Sequence, residues 1–400
     1  GDDLGAMNIR HATVGNKLPW FTIDNCAFDF GGSRASTYNL WKRGVNIYRT
    51  DNIRVTYSSF EGAPGEMLGL SLFEARHRRA WVAHNFFYNF GQNGFNPAGD
   101  ETTFVYNRLD TGVQGVEASG SAGNYSDNEA RDLKNAMITA QIDNSVVSRN
   151  ICRTCYQTNP AVVDGVITFN NRGQCIATSN NTVTDNIIIN TSSPANAAGI
   201  TVYTSDPCGT RNTHNVVNGN QVTGLPVGIY IAQCDECSAN NNDVRLATIG
   251  LSIAGTSGDV LQSSFNGNRI QATTPLSFNI VDADRNLIGW NYLYTTTGGL
   301  RALFGRGTLY VLTVNSTTPT VLGSFMWSEQ NTAPTSITTF TNMEIGNPPV
   351  CVRFSTANTT LVNAGGLRLA GGVNFVGTDG DVLCLNRDGA AIYEVSRSVN

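Results

Sequence analysis

Val82-Ala83-His84-Asn85-Phe86-Phe87 and Phe104-Val105-Tyr106-Asn107-Arg108-Leu109 are two copies of one pattern: an apolar residue, two residues of any kind, asparagine, one residue and a second apolar residue. The two asparagines lie about 22 residues apart. The series continues at Asn128, Asn150, Asn186, Asn220, Asn242, Asn268 and Asn291, and Cys26 and Ser58 hold the equivalent place earlier in the chain. A repeat of this length is typical of a solenoid, because one repeat is too small to bury its own apolar face. The spacing therefore predicts about eleven stacked turns, with the amides hydrogen-bonded along the stack.

A second series lies between these asparagines and reads glycine, apolar residue, any residue, apolar residue. Its members are Gly69-Leu70-Ser71-Leu72, Gly115-Val116-Glu117-Ala118, Gly165-Val166-Ile167-Thr168, Gly199-Ile200-Thr201-Val202, Gly228-Ile229-Tyr230-Ile231 and Gly250-Leu251-Ser252-Ile253. Such alternation predicts strands with one buried and one exposed face. We expect an all-β chain whose residues 1–300 form a right-handed parallel β-helix. An antiparallel sandwich would instead place hairpin turns every 8–12 residues or so.

The composition agrees with a β-protein and excludes several classes of function. Charged residues make up 14% of the chain, against about 25% in an average globular protein. The net charge of −5 lacks the basic surplus of a nucleic-acid-binding protein. No apolar run reaches the roughly 18 residues of a membrane span. We therefore expect no nucleic acid among the partners and no membrane span.

The chain changes character after Asn291, where the asparagine series stops. From about Thr308 onward, short alternating segments such as Val350 to Phe354 and Val382 to Leu385 are separated by turn-forming residues. This pattern predicts a β-sandwich-like domain over residues 308–400. We expect it to cap the open end of the parallel stack, where backbone groups would otherwise lack partners.

Two resemblances follow from these motifs. The asparagine-stacked region, residues 8–297, resembles the pectate-lyase-like superfamily of right-handed β-helices. The tail, with Ala364-Gly365-Gly366-Leu367-Arg368 and Tyr393-Glu394-Val395-Ser396-Arg397-Ser398, is similar to the C-terminal β-domain of phage tail fibre and tailspike proteins. The resemblance implies a homotrimer assembled partly through this domain. It also implies binding of a bacterial surface polysaccharide by a virion tail protein or a secreted protein.

Three functions remain open on this basis. The chain is a polysaccharide depolymerase of the glycoside hydrolase or lyase type, a non-catalytic glycan-binding fibre, or a structural subunit of a virion. A depolymerase requires carboxyl groups, and outward side chains of successive turns stand about 5 Å apart. Glycoside hydrolysis uses two carboxyl groups about 5–9 Å apart. The candidate catalytic residues are Glu74, Asp100, Glu117 and Asp132, and the alternative is that each is a solvated acid that keeps the protein soluble.

The candidate substrate-binding residues are basic or aromatic. Arg76 and His77 belong to the densest basic run, which would suit an acidic glycan; the alternative is pairing with nearby acids. The alternation predicts that Phe73, Phe169, Tyr203 and Tyr230 point outward, where sugar rings could stack on them, and that Phe95 points inward. Packing against a neighbouring subunit would also explain outward aromatic residues.

The nine cysteines leave their redox state open. Cys175, Cys208 and Cys237 occupy similar places after their strands, so they could stack on adjacent turns and form a disulfide. Cys152 with Cys155 and Cys234 with Cys237 have the spacing of a zinc pair, but they lie several turns apart. Cys26 falls in the asparagine series and is expected in the core. We expect no metal site and no cofactor.

Overall fold

The structure is a computed structural model of the chain. It describes residues 5–9, 18–29, 42–62, 70–155, 165–170, 178–190, 197–203, 211–254, 263–279, 287–288, 291–295, 299–303, 310–312, 314–319, 321, 326–341, 343 and 349–398. The chain divides into two compact units. The first consists of Gly1–Val260 and Ile270–Asp282, and the second of Leu261–Arg269 and Ala283–Asn400. The boundaries predicted at residues 300 and 308 stay predictions.

The first unit is built from short parallel strands. These are Gly5–Ile9, Leu18–Asp24, Ala27–Asp29, Lys42–Thr56, Ser59–Glu61, Leu70–Ala83, Phe86–Gly99, Thr102–Val105, Arg108–Ser121, Asn124–Ser126, Glu129–Leu133, Ile138–Asp143, Val146–Ser148, Ile151–Arg153, Gly165–Asn170, Thr182–Thr184, Ile187–Ile189, Ala198–Tyr203, Asn212–Thr213, Val216–Asn218, Gln221–Thr223, Val227–Ala232, Cys234–Asp235, Ser238–Asn240 and Asp243–Ala254. The strand Arg269–Asn279 enters this unit at Ile270.

Each strand pairs in parallel with the equivalent strands of the turns before and after it. Ile138–Asp143, for example, pairs with Arg108–Ser121 on one side and with Gly165–Asn170 on the other. Apolar side chains fill the space inside the turns, including a column of rings in which Phe60 stacks 5.0 Å from both Phe28 and Phe87. The predicted parallel β-helix fold is therefore confirmed, with about ten turns.

The asparagine series forms a hydrogen-bonded ladder. The backbone N–H of Asn107 donates to Oδ1 of Asn128 over 2.9 Å, and Nδ2 of Asn107 donates to the same oxygen over 3.1 Å. The identical bond pair joins Asn85 to Asn107, Asn128 to Asn150, Asn150 to Asn186, Asn186 to Asn220, Asn220 to Asn242 and, within the second unit, Asn268 to Asn291. These amides are buried. Each therefore satisfies backbone groups that water cannot reach.

The N-terminal end of the ladder differs from the rest in its side chains. The backbone N–H of Ser58 donates to Oδ1 of Asn85, and the backbone N–H of Cys26 donates to Oγ of Ser58. Cys26 is exposed and is not bonded to another cysteine. The expectation that it lies in the core was wrong, because in the described residues no ladder partner precedes it.

Each turn bends at up to three corners where one residue adopts a left-handed backbone conformation. Corner 1 directly precedes the ladder and consists of Asn25, Tyr57, His84, Tyr106, Asp127, Arg149, Asp185, Gly219 and Asn241. Corner 2 includes Asn89, Thr111, Asp132 and Thr154, and corner 3 includes Glu101, Ala122, Asn144, Asn180, His214 and Glu236. A non-glycine residue pays roughly 1–2 kcal/mol for this conformation. Ladder bonds and strand pairing on both sides of the corners offset that cost.

Close backbone approach explains the glycine series. A Cβ atom on Gly199 would lie 2.7 Å from the carbonyl oxygen of Gly228, and one on Gly228 would lie 2.5 Å from that of Gly250. Real Cβ atoms do not approach a carbonyl so closely. These strands therefore begin with a residue that lacks Cβ, as the series indicates.

The register at Gly165 corrects the predicted orientation of Phe169. Gly165 pairs with Ala198, so it lies one residue before the position of Gly199. Phe169 pairs with Val202 and is completely buried. The expectation that Phe169 points outward was wrong because the glycine series was aligned one residue out of register at this strand. Phe95 is buried, in line with its predicted inward orientation.

The second unit begins with Ser264–Asn266, Leu287–Ile288, Tyr292–Thr295 and Gly299–Leu303 and continues with two small sheets. The larger sheet contains Tyr310–Val311, Met326–Glu329, Val350–Phe354, Val382–Asp388, Ala391–Ser398 and Leu367–Arg368, and the smaller contains Thr335–Ile337, Thr359–Leu361 and Phe375–Val376. A single turn of 3₁₀ helix covers Ala370–Gly372. Phe354 packs edge-on against Phe375 at 5.3 Å. The predicted C-terminal β-domain is thus present, with mixed parallel and antiparallel pairing.

Three disulfides lie within the described residues. Cys351 and Cys384 are directly opposite each other on antiparallel strands and are bonded. Cys152 is bonded to Cys155, and Cys234 to Cys237. A disulfide from Cys237 to Cys175 or Cys208, which the sequence left open, was wrong, because the sulfur of Cys237 is bonded to Cys234. Cys175 and Cys208 lie outside the described residues.

Replacing one amide of the ladder tests its energetic weight. Asn128→Ala removes the acceptor of two Asn107 bonds and the donor to the carbonyl of Phe104. Buried groups left without partners cost about 1–3 kcal/mol each. We expect the free energy of unfolding, measured by urea denaturation, to fall by about 3–5 kcal/mol. The control Asn144→Gly, at an exposed left-handed corner, should change it by less than about 1 kcal/mol. Equal effects of the two substitutions would contradict a stabilising ladder.

Candidate functional site

The candidate site lies on the outer surface of the strands between corner 2 and corner 3. Val116 and Ala118 point into the core and are buried, whereas Glu117 between them is half-buried and points outward. The next turns place Thr139, Thr168, Thr201, Tyr230 and Ser252 level with Glu117. We call this set, together with the positions level with it in earlier turns, the outward row. Among the described side chains of the outward row, the one with a carboxylate is Glu117.

A buried amide holds the carboxylate of Glu117. Nδ2 of Asn93, from the preceding turn, donates to Oε2 of Glu117 over 2.8 Å. Asn93 is fully buried, and its Oδ1 has no hydrogen-bond partner in the structure. The bulge between Phe90 and Asn93 shifts the strand register there. Asn93 therefore fixes the orientation of Glu117, while its own Oδ1 is buried.

Glu74 lies in the same row by its backbone register. Glu74 pairs with Asn46 and Asn96, and Asn96 lies level with Glu117 because Phe95 pairs with Val116. Two steps of about 4.8 Å separate the backbones of Glu74 and Glu117, a distance of roughly 10 Å. The side chains of Phe73, Glu74 and Arg76 are outside the described part of the structure. The backbone of Phe73 pairs with Val45 and Phe95, which are both core positions.

The structure does not bring Asp100 and Asp132 to Glu117. Oδ1 of Asp100 accepts bonds from the backbone N–H of Ser121 over 3.1 Å and from its hydroxyl over 2.7 Å. Ser121 lies four residues beyond Glu117, or roughly 13 Å along an extended strand. Asp132 is an exposed residue of corner 2. Asp100 therefore caps a turn, and Asp132 occupies a bend near the end of the strand Glu129–Leu133.

Both ring nitrogens of His77 contact protein groups. Nδ1 lies 3.2 Å from the carbonyl oxygen of Ala75, and Nε2 lies 2.7 Å from Oγ1 of Thr102. Burial lowers the pKa of His77 to about 4, although the carbonyl of Ala75 and the charge of Asp100 act in the opposite direction. The ring is therefore neutral at pH 7. Nδ1–H donates to the carbonyl, and Nε2 accepts the Thr102 hydroxyl.

Tyr203 and Tyr230 form a separate aromatic pair. Their ring centroids lie 6.0 Å apart at 59°, and both side chains are half-buried. Burial raises the pKa of Tyr230, and the neighbouring Tyr203 raises it to a smaller extent. Thr139, Thr168 and Thr201, which lie between Glu117 and Tyr230 in the row, are all buried. These buried threonines therefore separate the carboxylate of Glu117 from the tyrosine pair along the outward row.

Among solved protein structures, the chain is similar to a phage tailspike. The Dettilon tailspike protein matches with a TM-score of 0.44 and 13% sequence identity. The match covers 70% of this chain and 62% of the tailspike chain, which is less than two thirds of its length. No family model matches, and neither does any curated protein. The predicted resemblance to tailspike-type β-helices is confirmed for the fold, because the parallel solenoid itself is present.

Two further observations concern metals and membranes. No group of three or more His, Cys, Asp or Glu side chains that could hold a metal ion occurs in the described ranges. No helix among the same residues is long and apolar enough to cross a membrane.

The pH dependence of stability tests the environment of His77. Because its pKa is lowered in the folded state, folding opposes protonation between about pH 6.5 and pH 4. His77 therefore contributes to the free energy of unfolding above about pH 6.5, and this contribution is lost as the pH falls toward 4. We expect the free energy of unfolding to drop on going from pH 7 to pH 4.5 by on the order of 2 kcal/mol more in the wild type than in His77→Gln. Identical pH dependence in both proteins would show that His77 titrates normally.

Proposed function

We propose that this chain is a tailspike-like protein that binds a bacterial surface polysaccharide and hydrolyses it at the outward row. The observation that carries the proposal is the carboxylate of Glu117, outward on a rigid strand and held by the buried Asn93. Side chains on a stacked-strand scaffold keep their positions when a ligand binds. A preorganised carboxylate of this kind suits acid–base catalysis.

The second carboxyl group in this proposal is Glu74. Its backbone lies two turns from that of Glu117, which is roughly 10 Å. Inverting glycosidases separate their carboxyl groups by about 6.5–9.5 Å, so that a water molecule fits beside the sugar, whereas retaining enzymes need about 5–5.5 Å. The backbone spacing of the two glutamates is closer to the separation of an inverting pair than to that of a retaining pair. Glu117, held by Asn93, would act as the base that activates water, and Glu74 would protonate the leaving oxygen.

The interrupted row favours a second candidate, a glycan-binding fibre without catalysis. In the tyrosine pair, Tyr203 lies three turn-to-turn steps from Glu117 and Tyr230 lies four, the latter about 19 Å away. Sugar rings could stack on this pair without reaching a carboxylate. Roles of Arg76 and His77 in binding an acidic glycan stay predictions, and the existing bonds of His77 argue for a supporting role for that residue.

Carboxylate substitutions separate the two candidates. Glu117→Gln and Glu74→Gln should each reduce oligosaccharide release from capsule or lipopolysaccharide by about a hundredfold or more, because each removes one acid–base group. Products should form with inverted anomeric configuration, as read by NMR. The matched control is Glu129→Gln, a half-exposed glutamate on another strand, and it should release oligosaccharides at the wild-type rate. Binding without release by the wild type across a broad glycan panel would favour the non-catalytic fibre.

We further propose that the protein works as a homotrimer on a phage tail. The second unit exposes Val373, Val376, Tyr393 and Val395 by 46–59%. A second and third copy of the chain could cover these side chains.

Light scattering tests the assembly. The mass in solution should be three times the 42.9 kDa of one chain. Val395→Glu should lower the mass, because a charge would have to be buried in the contact, and the matched change Val146→Glu on the first unit should leave it unchanged. A monomeric wild type would contradict the assembly.

A further inference from the structure

Three rings stack in the open at corner 1. The ring of His84 lies 5.0 Å from that of Tyr57 at an interplanar angle of 3°, and 5.1 Å from that of Tyr106 at 9°. Tyr57 is 61% exposed and Tyr106 is 55% exposed. We call these three residues the ring column. Corner 1 lies at the opposite side of each turn from the outward row, because corners 2 and 3 flank the strands that carry the row.

The column stops where the next turn supplies a small side chain. The backbone N–H of Asn25 donates to the carbonyl of Thr56, just as that of Tyr57 donates to the carbonyl of Ala83. Asn25 therefore occupies the next position of the column, beyond Tyr57. One face of the Tyr57 ring is covered by His84, and the other faces the turn of Asn25. Among the described residues, no further ring stacks on this side of Tyr57.

A shallow depression of about 380 Å³ lies at this place. Asn25, Cys26, Tyr57 and Ser59 are among the residues that line it. Its lining includes hydroxyl and amide groups but, among the described residues, no carboxylate or guanidinium group. The described lining therefore combines the rings of Tyr57, His84 and Phe86 with hydroxyl and amide groups.

We propose that this depression is a binding site for a neutral pyranose ring, which stacks on Tyr57 as the fourth member of the ring column. A pyranose presents a flat face of C–H bonds that carries slight positive charge, and the face of an aromatic ring is negative. The amide of Asn25 and the hydroxyl of Ser59 can bond to the sugar hydroxyls. That the ligand is a sugar rests on the proposed function. The site itself is separate from the one at Glu117.

The contrast with a charged sugar defines the specificity. A uronate would bring a carboxylate into a depression that offers no cationic partner among the described lining residues other than the imidazole of His84. We therefore expect neutral methyl pyranosides to bind and galacturonate to bind more weakly.

Saturation-transfer NMR on the full chain tests the site, with methyl galactopyranoside, methyl glucopyranoside and galacturonate as probes. Asn25→Tyr extends the column with a side chain that the same backbone conformation already carries at Tyr57 and Tyr106, and it fills the place of the sugar. Asn25→Tyr and Tyr57→Ala should each weaken binding of the neutral sugar at least about fivefold. The control Asn241→Tyr makes the same change at the same corner several turns away, and it should bind like the wild type.

Two results would overturn the proposal. The first is a wild-type protein that transfers no saturation to either neutral pyranoside. The second is an Asn25→Tyr protein that binds as well as the wild type. Oligosaccharide release by the wild type is measured in parallel. Release without binding at this depression rejects the sugar site alone, whereas binding without release rejects the proposed catalysis alone.

Discussion

The amide ladder is the interaction on which the rest of the structure depends. The Oδ1 of each ladder asparagine accepts bonds from the backbone N–H and the Nδ2 of the asparagine in the previous turn. Its own Nδ2 donates to a backbone carbonyl of that previous turn. Parallel strands as short as Val146–Ser148 bury little area by themselves. The ladder fixes one register for all of them, because a shift by one residue would leave buried amides without partners. Every outward row and corner column is a consequence of that register.

The register also decides which chemistry is possible. It places Glu74, Asn96 and Glu117 in one row and leaves Asp100 and Asp132 at bends elsewhere. It aligns Tyr57, His84 and Tyr106 into a column because each directly precedes a ladder residue. Residues distant in the sequence thus become neighbours about 4.8 Å apart. Two separate patches result on opposite sides of the turns, one with a fixed carboxylate and one with stacked rings.

The sequence predicted the features that repeat with one residue type. The asparagine series, the glycine series and the loss of both after Asn291 indicate the fold and its end, because buried amides and close backbone contacts tolerate few substitutes. Features with variable residues were not predictable in this way. The left-handed corners hold tyrosine, histidine, aspartate and arginine, so no residue type marks them. The orientation of Phe169 was wrongly predicted because Gly165 lies one residue before the glycine position of the series. The contact of Asn93 with Glu117 depends on a bulge in the strand.

Distances between spin labels measure the stacking most directly. Encoded spin-label residues are placed at His84 and, in turn, at Asp185, Gly219 or Asn241, which all belong to corner 1. The backbones should lie about 19, 24 and 29 Å apart, an increase of about 4.8 Å per turn, although the chain segments added at each step differ in length. Double electron–electron resonance should show this constant increment. Distances that instead follow the number of intervening residues, or that scatter without order, would contradict the stacked ladder.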